Sequence, residues 1–118
     1  MELIDRLNEE PVQIVNRHVE AMSRRDIEGF MADCSGTIRL LSSDGATQLD
    51  GKWAVRETYS GVFDSNPDLN VEVIDRISVG DWVFDEHLST GFADGRQVHA
   101  VRVYRIEAGK IESIQAFT

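Results

Sequence analysis

Cysteine is nearly absent: Cys34 is the only one in 118 residues. A lone thiol closes no disulfide within the chain, so nothing points to an oxidising compartment. Basic residues are scarce too, 12 against 21 acidic ones, for a net charge of −9. Nucleic-acid binding needs a basic stripe that displaces counterions. The nearest approach to one is Arg24-Arg25, directly followed by Asp26. Nucleic acid and anionic membrane surfaces are therefore not expected partners. No apolar run approaches the roughly 18 residues of a membrane span. The opening stretch, MELIDRLNEEP, carries acidic residues and no apolar h-region, unlike a signal peptide. A cytoplasmic protein is the expectation. No repeat, linker or low-complexity stretch is visible. No HxH or HExxH spacing supports a metal, and Gly45 and Gly51 do not form a phosphate loop, so no cofactor is expected. What is present is 42% hydrophobic residues, with two Trp and five Phe, enough for one packed core.

The pattern predicts helices first. Pro11 suits a first helical turn, where its missing N–H costs nothing. On a 3.6-residue period Val12, Val15, His18, Val19 and Met22 share an arc. Asp26 is a good N-cap for a short second helix, IEGFMADC, with Glu28 in its first turn. TIRLL reads as a strand and SSDG as a turn. Asp50 is placed to cap a third helix, GKWAVRETYSGVF, with Val55, Tyr59 and Val62 inward and SNPD ending it. The remainder alternates like antiparallel sheet: LNVEVIDRISV, WVFDEHLSTG, RQVHAVRVYRI and KIESIQAFT, with turns at Gly80-Asp81, Asp94-Gly95 and Ala108-Gly109. The class is α+β, helices segregated on one face of a curved antiparallel sheet. One domain over residues 1–118 is expected, with residues 1–10 a segment ahead of it.

Asp85-Glu86-His87 sits at the centre of one predicted strand. Period-two alternation sends Val83, Asp85, His87 and Ser89 to one face and Trp82, Phe84, Glu86 and Leu88 to the other. Partners across the Asp94-Gly95 hairpin depend on its turn. A two-residue turn sets His87 opposite Arg102, Asp85 opposite Tyr104 and Ser89 opposite Ala100, all on one face. A three-residue loop with a bulge sets Glu86 opposite Arg102 and Phe84 opposite Tyr104, and puts His99 and Val101 on the face of Asp85 and His87. A one-residue slip reverses every face.

Four stretches, RHVEAMSRRDIEGFMAD, DGKWAVRETYSGVF, NPDLNVEVIDRISVGDWV and VRVYRIEAGKIESIQAF, occur in an order that resembles the nuclear transport factor 2-like superfamily, in its SnoaL-like and ketosteroid-isomerase-like branch. The likeness covers nearly the whole chain from about Pro11. It implies a cone-shaped, cystatin-like roll. Three N-terminal helices pack on the curved sheet around an apolar pocket, and homodimers commonly form through the outer sheet face. The superfamily hosts isomerases, hydrolases, cyclases, binders and interaction modules, so the fold alone names no activity.

Residue by residue, the resemblance places His18 where ketosteroid isomerases have a Tyr that donates to the substrate oxyanion, and Tyr59 at a supporting Tyr. The position of the isomerase base is Leu40, and that of its protonated Asp is Arg102. Both carboxylates of that reaction are thus missing. In the limonene-epoxide-hydrolase branch, the Asp–Arg–Asp set falls on His87, Ser89 and Ala116. The two comparisons turn His87 and Arg102 inward together, which favours the two-residue turn. In that register His87 is the candidate acid or base, Asp85 its orienter and His18 a further donor. Tyr59, Arg102 and Tyr104 are the candidate polar contacts for a ligand. Leu40, Ile114 and Ala116 supply apolar lining. The competing assignment makes these residues a satisfied polar network, or places them on the outer sheet surface. The expected function is a pocket protein for a small apolar molecule, with isomerase or hydrolase chemistry on a carbonyl or epoxide. The alternative is a non-catalytic dimeric module.

Overall fold

The computed structural model describes residues 9–118. The expected leading segment, 1–10, therefore falls mostly outside the described residues. Helix α1 spans Pro11–Ser23, with Pro11 at its start and the Gln13 side chain accepting the Glu10 N–H at 3.1 Å. Of the expected arc, Val15, His18, Val19 and Met22 are buried and Val12 is partly buried, and Ile14 and Ala21 join them. Helix α2, Ile27–Ala32, is capped by Asp26, which accepts from the Gly29 N–H at 3.1 Å. It stops short of the expected end at Cys34, because the Asp33 carbonyl takes the Ile111 N–H at 2.7 Å and draws the chain into the sheet.

Strand β1, Cys34–Leu41, is followed by a strand that the sequence reading missed, β2, Thr47–Asp50. Helix α3, Lys52–Ser65, then starts from Gly51 rather than Asp50, whose backbone is committed to β2. Val55 and Phe63 are its buried residues, with Tyr59 and Val62 partly buried against the same core. Strands β3 (Asn70–Val79), β4 (Trp82–Thr90), β5 (Val98–Glu107) and β6 (Lys110–Phe117) complete one sheet in the order β2-β1-β6-β5-β4-β3. All pairs are antiparallel except β1 with β6, which run parallel.

Alpha-helices cover one sheet face. Helix α1 packs on β3, β4 and β6, and α3 on β1 and β2. Ile14, Val15, Phe30, Ile38, Val55, Val83, Tyr104 and Ile111 are fully enclosed between the layers. The opposite face leaves Ile77, Val79, Trp82, Phe84, Val101 and Phe117 exposed.

The β4–β5 register differs from both readings. Asp85 pairs with Arg102, His87 with Ala100, Val83 with Tyr104 and Ser89 with Val98. The connection is neither two nor three residues; it runs from Gly91 to Gln97, with a turn closed by the Gly95 N–H on the Phe92 carbonyl at 2.9 Å. The slip from the two-residue register is an even one, so the faces are as that register predicts although every opposite partner changes. Gly91 explains the longer loop. It has φ +82°, and a Cβ there would sit 1.9 Å from the Asp68 carbonyl oxygen, so loop and β3 entry touch through backbone.

Candidate functional site

The polar cluster under α1 begins with a residue that the sequence reading missed. Simple alternation along β3 puts Arg76 on the face opposite Val71 and Val73. A bulge between Val73 and Asp75 absorbs Ile74 and turns Arg76 inward, opposite Asp85. Its guanidinium grips both Asp85 oxygens, at 2.6 and 2.8 Å. Asp85 is fully buried. Burial alone raises its pKa, but hydrogen bonds from Arg76 and His87 outweigh burial and hold the carboxyl below its usual range. An inward charge at an alternation break was the only sequence signal for Arg76.

His87 is buried beside Asp85, with Nε2 3.2 Å from Oδ2. Against an ionised carboxylate that nitrogen donates, so in the neutral ring Nδ1 carries a bare lone pair. Asp85 is therefore within hydrogen-bond reach of His87, the pair that the sequence reading set together. His18 is equally enclosed: Nδ1 donates to the Phe30 carbonyl at 2.9 Å, and its ring lies on Phe30 with centroids 4.1 Å apart. Tyr104 closes the cluster, its ring 5.9 Å from His18 and 6.4 Å from His87. Burial raises the Tyr104 pKa and outweighs the opposing pull of Arg102, so the hydroxyl keeps its proton. Arg102 and Tyr104 share one strand face without meeting in hydrogen-bond geometry. Four buried atoms are left without a partner among the described residues: His18 Nε2, His87 Nδ1, Tyr104 Oη and Arg102 Nε. Two are acceptors and two are donors.

Burial pushes the His18 pKa down from 6.5 to about 4. In this range the unfolded chain binds a proton that the folded chain refuses. The stability that neutral His18 confers is complete above pH 6.5, the ordinary value, and is lost as pH falls toward 4. The loss is about 3 kcal/mol at 1.36 kcal/mol per pH unit. Urea midpoints measured from pH 8 to pH 4 are expected to fall less steeply for His18→Gln than for the unaltered chain. Equal slopes would refute the assignment.

The cavities lie beside this cluster, not within it. One of about 350 Å³ is walled by Met22, Leu40, Leu49, Val62, Leu69, Val71, Phe92 and Val98, with Thr58, Tyr59, Ser89, Arg96 and Arg102 as its polar members. A second, of about 190 Å³, shares Leu40, Leu49, Tyr59 and Arg102 and adds Ile114 and Ala116. The expected ligand contacts Tyr59, Arg102, Leu40, Ile114 and Ala116 are therefore together. The expected catalytic residues His18 and His87, and also Tyr104, line neither cavity; Asp85, with Arg76, borders a separate hollow of about 210 Å³ shared with Ile77, Phe84, Glu86 and Val101. The single cavity expected to hold all five polar residues is instead a cavity that ends at Arg102, with the cluster of His18, Asp85, His87 and Tyr104 behind it. Arg102 Nη1 donates to the Tyr59 hydroxyl at 3.3 Å, and the Tyr59 and Tyr104 hydroxyls raise its pKa further against the effect of burial. Leu49 went unseen because Thr47–Asp50 is too short to show alternation. Phe92 and Arg96 were missed because they stand in the longer β4–β5 loop, where the Arg96 guanidinium lies 4.8 Å over the Phe92 ring.

Solved structures share this architecture. A cystatin-fold protein of unknown role from Novosphingobium aromaticivorans superposes with a TM-score of 0.86 at 18% identity, covering 93% of this chain and 99% of its own. A candidate SnoaL-like polyketide cyclase from Jannaschia sp. CCS1 gives 0.75 at 17% identity, covering 91% and 83%. A protein of ketosteroid isomerase-like fold from Catenulispora acidiphila, in complex with trimethylamine, gives 0.75 at 16% identity, covering 89% and 84%. At these identities the likeness shows the fold alone. No curated protein gives a significant match to the sequence. The model of the SnoaL-like domain family matches residues 15–114, most of the chain, and the chain belongs to that family.

Proposed function

We propose that the chain is a small-molecule pocket protein whose ligand is mostly apolar and places one oxygen against Tyr59 and Arg102. The observation that carries this is the cavity of about 350 Å³, apolar over most of its wall and ending at those two side chains. Ligand sites commonly start at about 300 Å³ and pair such walls with a few convergent polar groups. A protonated amine, such as the trimethylamine of the Catenulispora complex, would meet the Arg102 cation, so that ligand is not carried over.

A second reading makes the chain an isomerase or hydrolase that moves a proton on a small carbonyl or epoxide compound. The four unpartnered buried atoms favour it, because two acceptors and two donors, one of them Arg102 Nε, suit a bound water or substrate atom. Arg102 and Tyr59 would then stabilise the developing oxyanion, with His87 as acid or base. This reading needs the cluster to open toward the cavity.

One experiment separates them. A thermal-shift screen of small ketones, epoxides and carboxylic acids is expected to find a stabilising ligand; at a hundredfold excess over Kd the gain is about 2.7 kcal/mol. Leu40→Trp, which fills the cavity, is expected to abolish that shift. An undiminished shift in Leu40→Trp would place the ligand elsewhere. His87→Ala is expected to leave binding within about threefold under the first reading, and to abolish turnover under the second.

The outer sheet face is proposed to bind a second copy of this chain. Ile77, Phe84 and Val103 lie in one cross-strand row and Val101 pairs with Phe117, giving a contiguous apolar patch. Glu86 and His99, which pair at 2.6 Å, stand at one end of it and Arg105 at the other, and a two-fold axis through the patch would set its apolar residues against their own copies. Sedimentation is expected to give about twice the chain mass, and Phe84→Glu to give the monomer. A monomeric unaltered chain at micromolar concentration would contradict this.

A further inference from the structure

Most arginines among the described residues have an obvious anion. Arg17 meets Asp33 and Glu9, Arg24 meets Asp26, Arg56 meets Glu28, Arg76 meets Asp85, Arg96 meets Asp94 and Arg105 meets Glu107, and Arg39 is exposed to solvent. Arg25 donates to the Ser23 and Leu69 carbonyls. Arg102 differs. Among the described residues no carboxylate lies within 4.0 Å of it, its only hydrogen bond goes to the Tyr59 hydroxyl, and its buried Nε has no partner. The acid directly across the strand is Asp85, but both of its oxygens are already held by Arg76. Arg102 is half-buried, with its Nε enclosed; a guanidinium cannot shed its charge by losing a proton, so withdrawing even part of one from water without an anion has a cost. A chain with 21 acidic residues does not lack for a candidate partner, yet none is placed here.

We infer that the cavity is built for an apolar monocarboxylic acid, whose carboxylate supplies the counter-ion that Arg102 lacks. The inference rests on the pocket reading above and names its ligand class. Arg102 lines both cavities where they meet, so an acid whose hydrocarbon part occupies the larger one ends with its carboxylate at the guanidinium. The Tyr59 hydroxyl stands beside it as a second donor. A phosphate dianion fits less well. The other cation at the cavity, Arg96, is paired with Asp94 at 3.3 Å and stacked on Phe92 at the mouth. The net charge of −9 repels anions at long range, so selection falls to this buried contact.

Titration calorimetry tests this with matched probes: butanoate to decanoate, benzoate and 3-phenylpropanoate, each against its primary amide of nearly equal shape. The unaltered protein is expected to bind at least one acid at least tenfold more tightly than its amide. Arg102→Met is expected to bring that acid down to the level of the amide, and Arg102→Lys to keep a preference for the acid. Should Arg102→Met fail to fold, the acid–amide ratio and the Lys variant decide the matter. If amides bind as tightly as acids, or Arg102→Met keeps the preference, the carboxylate assignment falls while the pocket reading stands. If no probe of either kind binds, both fall.

Discussion

Arg76→Leu is expected to cost about 3–5 kcal/mol of folding stability, the usual toll of removing one partner from a buried ion pair. The size of the effect depends on which partner is left. Asp85 is fully buried, whereas the Arg76 side chain keeps 18% of its surface in solvent. Removing Arg76 strands a carboxylate with His87 alone, and burial, already the force that raises the Asp85 pKa, then acts without its main opponent. Asp85 in the unaltered protein has a folded pKa below its unfolded value. Its stabilising effect is therefore present above pH 4 or so and lost only in stronger acid. In Arg76→Leu the sign reverses: the folded carboxyl prefers its proton, and the variant regains part of its deficit as pH falls toward 4. The double variant Arg76→Leu/Asp85→Leu is expected to recover most of the loss, because it removes the stranded charge. Chemical denaturation at pH 7.5 and pH 4.5 measures both effects. A loss below about 1 kcal/mol at pH 7.5 would mean the pair is solvated and not enclosed.

Phe30→Ala is the second large effect, again about 3–5 kcal/mol. Phe30 is fully buried and touches three functional neighbours: His18 at 4.1 Å, Tyr59 at 4.6 Å and Phe63 at 5.5 Å between ring centroids. Its loss opens a void between the polar cluster and the cavity. Tyr59 loses the ring that fixes its hydroxyl beside Arg102, so ligand affinity is expected to fall as well as stability. Phe30→Leu, which refills most of the void, should restore stability further than it restores affinity. Denaturation and calorimetry on the same pair of variants separate the two. Equal recovery of both would show that Phe30 only fills space.

Helices α1 and α2 were legible because their signals are local: Pro11 at a first turn, Asp26 as a cap, and a 3.6-residue apolar arc. The two hairpins at Gly80-Asp81 and Ala108-Gly109 were legible for the same reason. What stayed hidden depended on contacts across the fold. Strand β2 is four residues long and is defined by its pairing with β1. The parallel β1–β6 pair carries no local mark. The β3 bulge, which turns Arg76 toward Asp85, inverts the alternation that sequence reading relies on. The Gly91–Gln97 loop length depends on Gly91 lying against the Asp68 carbonyl, and a glycine in sequence does not announce what it touches. The face of Asp85 and His87 was readable because parity survives an even slip. Their separation from the cavity was not, since it depends on where Arg102, Tyr104 and Phe30 fill the interior.

A crystal structure with the tightest-binding compound of the thermal-shift screen tests the central claim most directly. The compound is expected between α3 and the sheet, with its hydrocarbon part against Leu40, Leu49 and Val62 and an oxygen within hydrogen-bond distance of both the Arg102 guanidinium and the Tyr59 hydroxyl. A compound seated on the outer sheet face, or one in the cavity with its apolar end against Arg102, would contradict the claim.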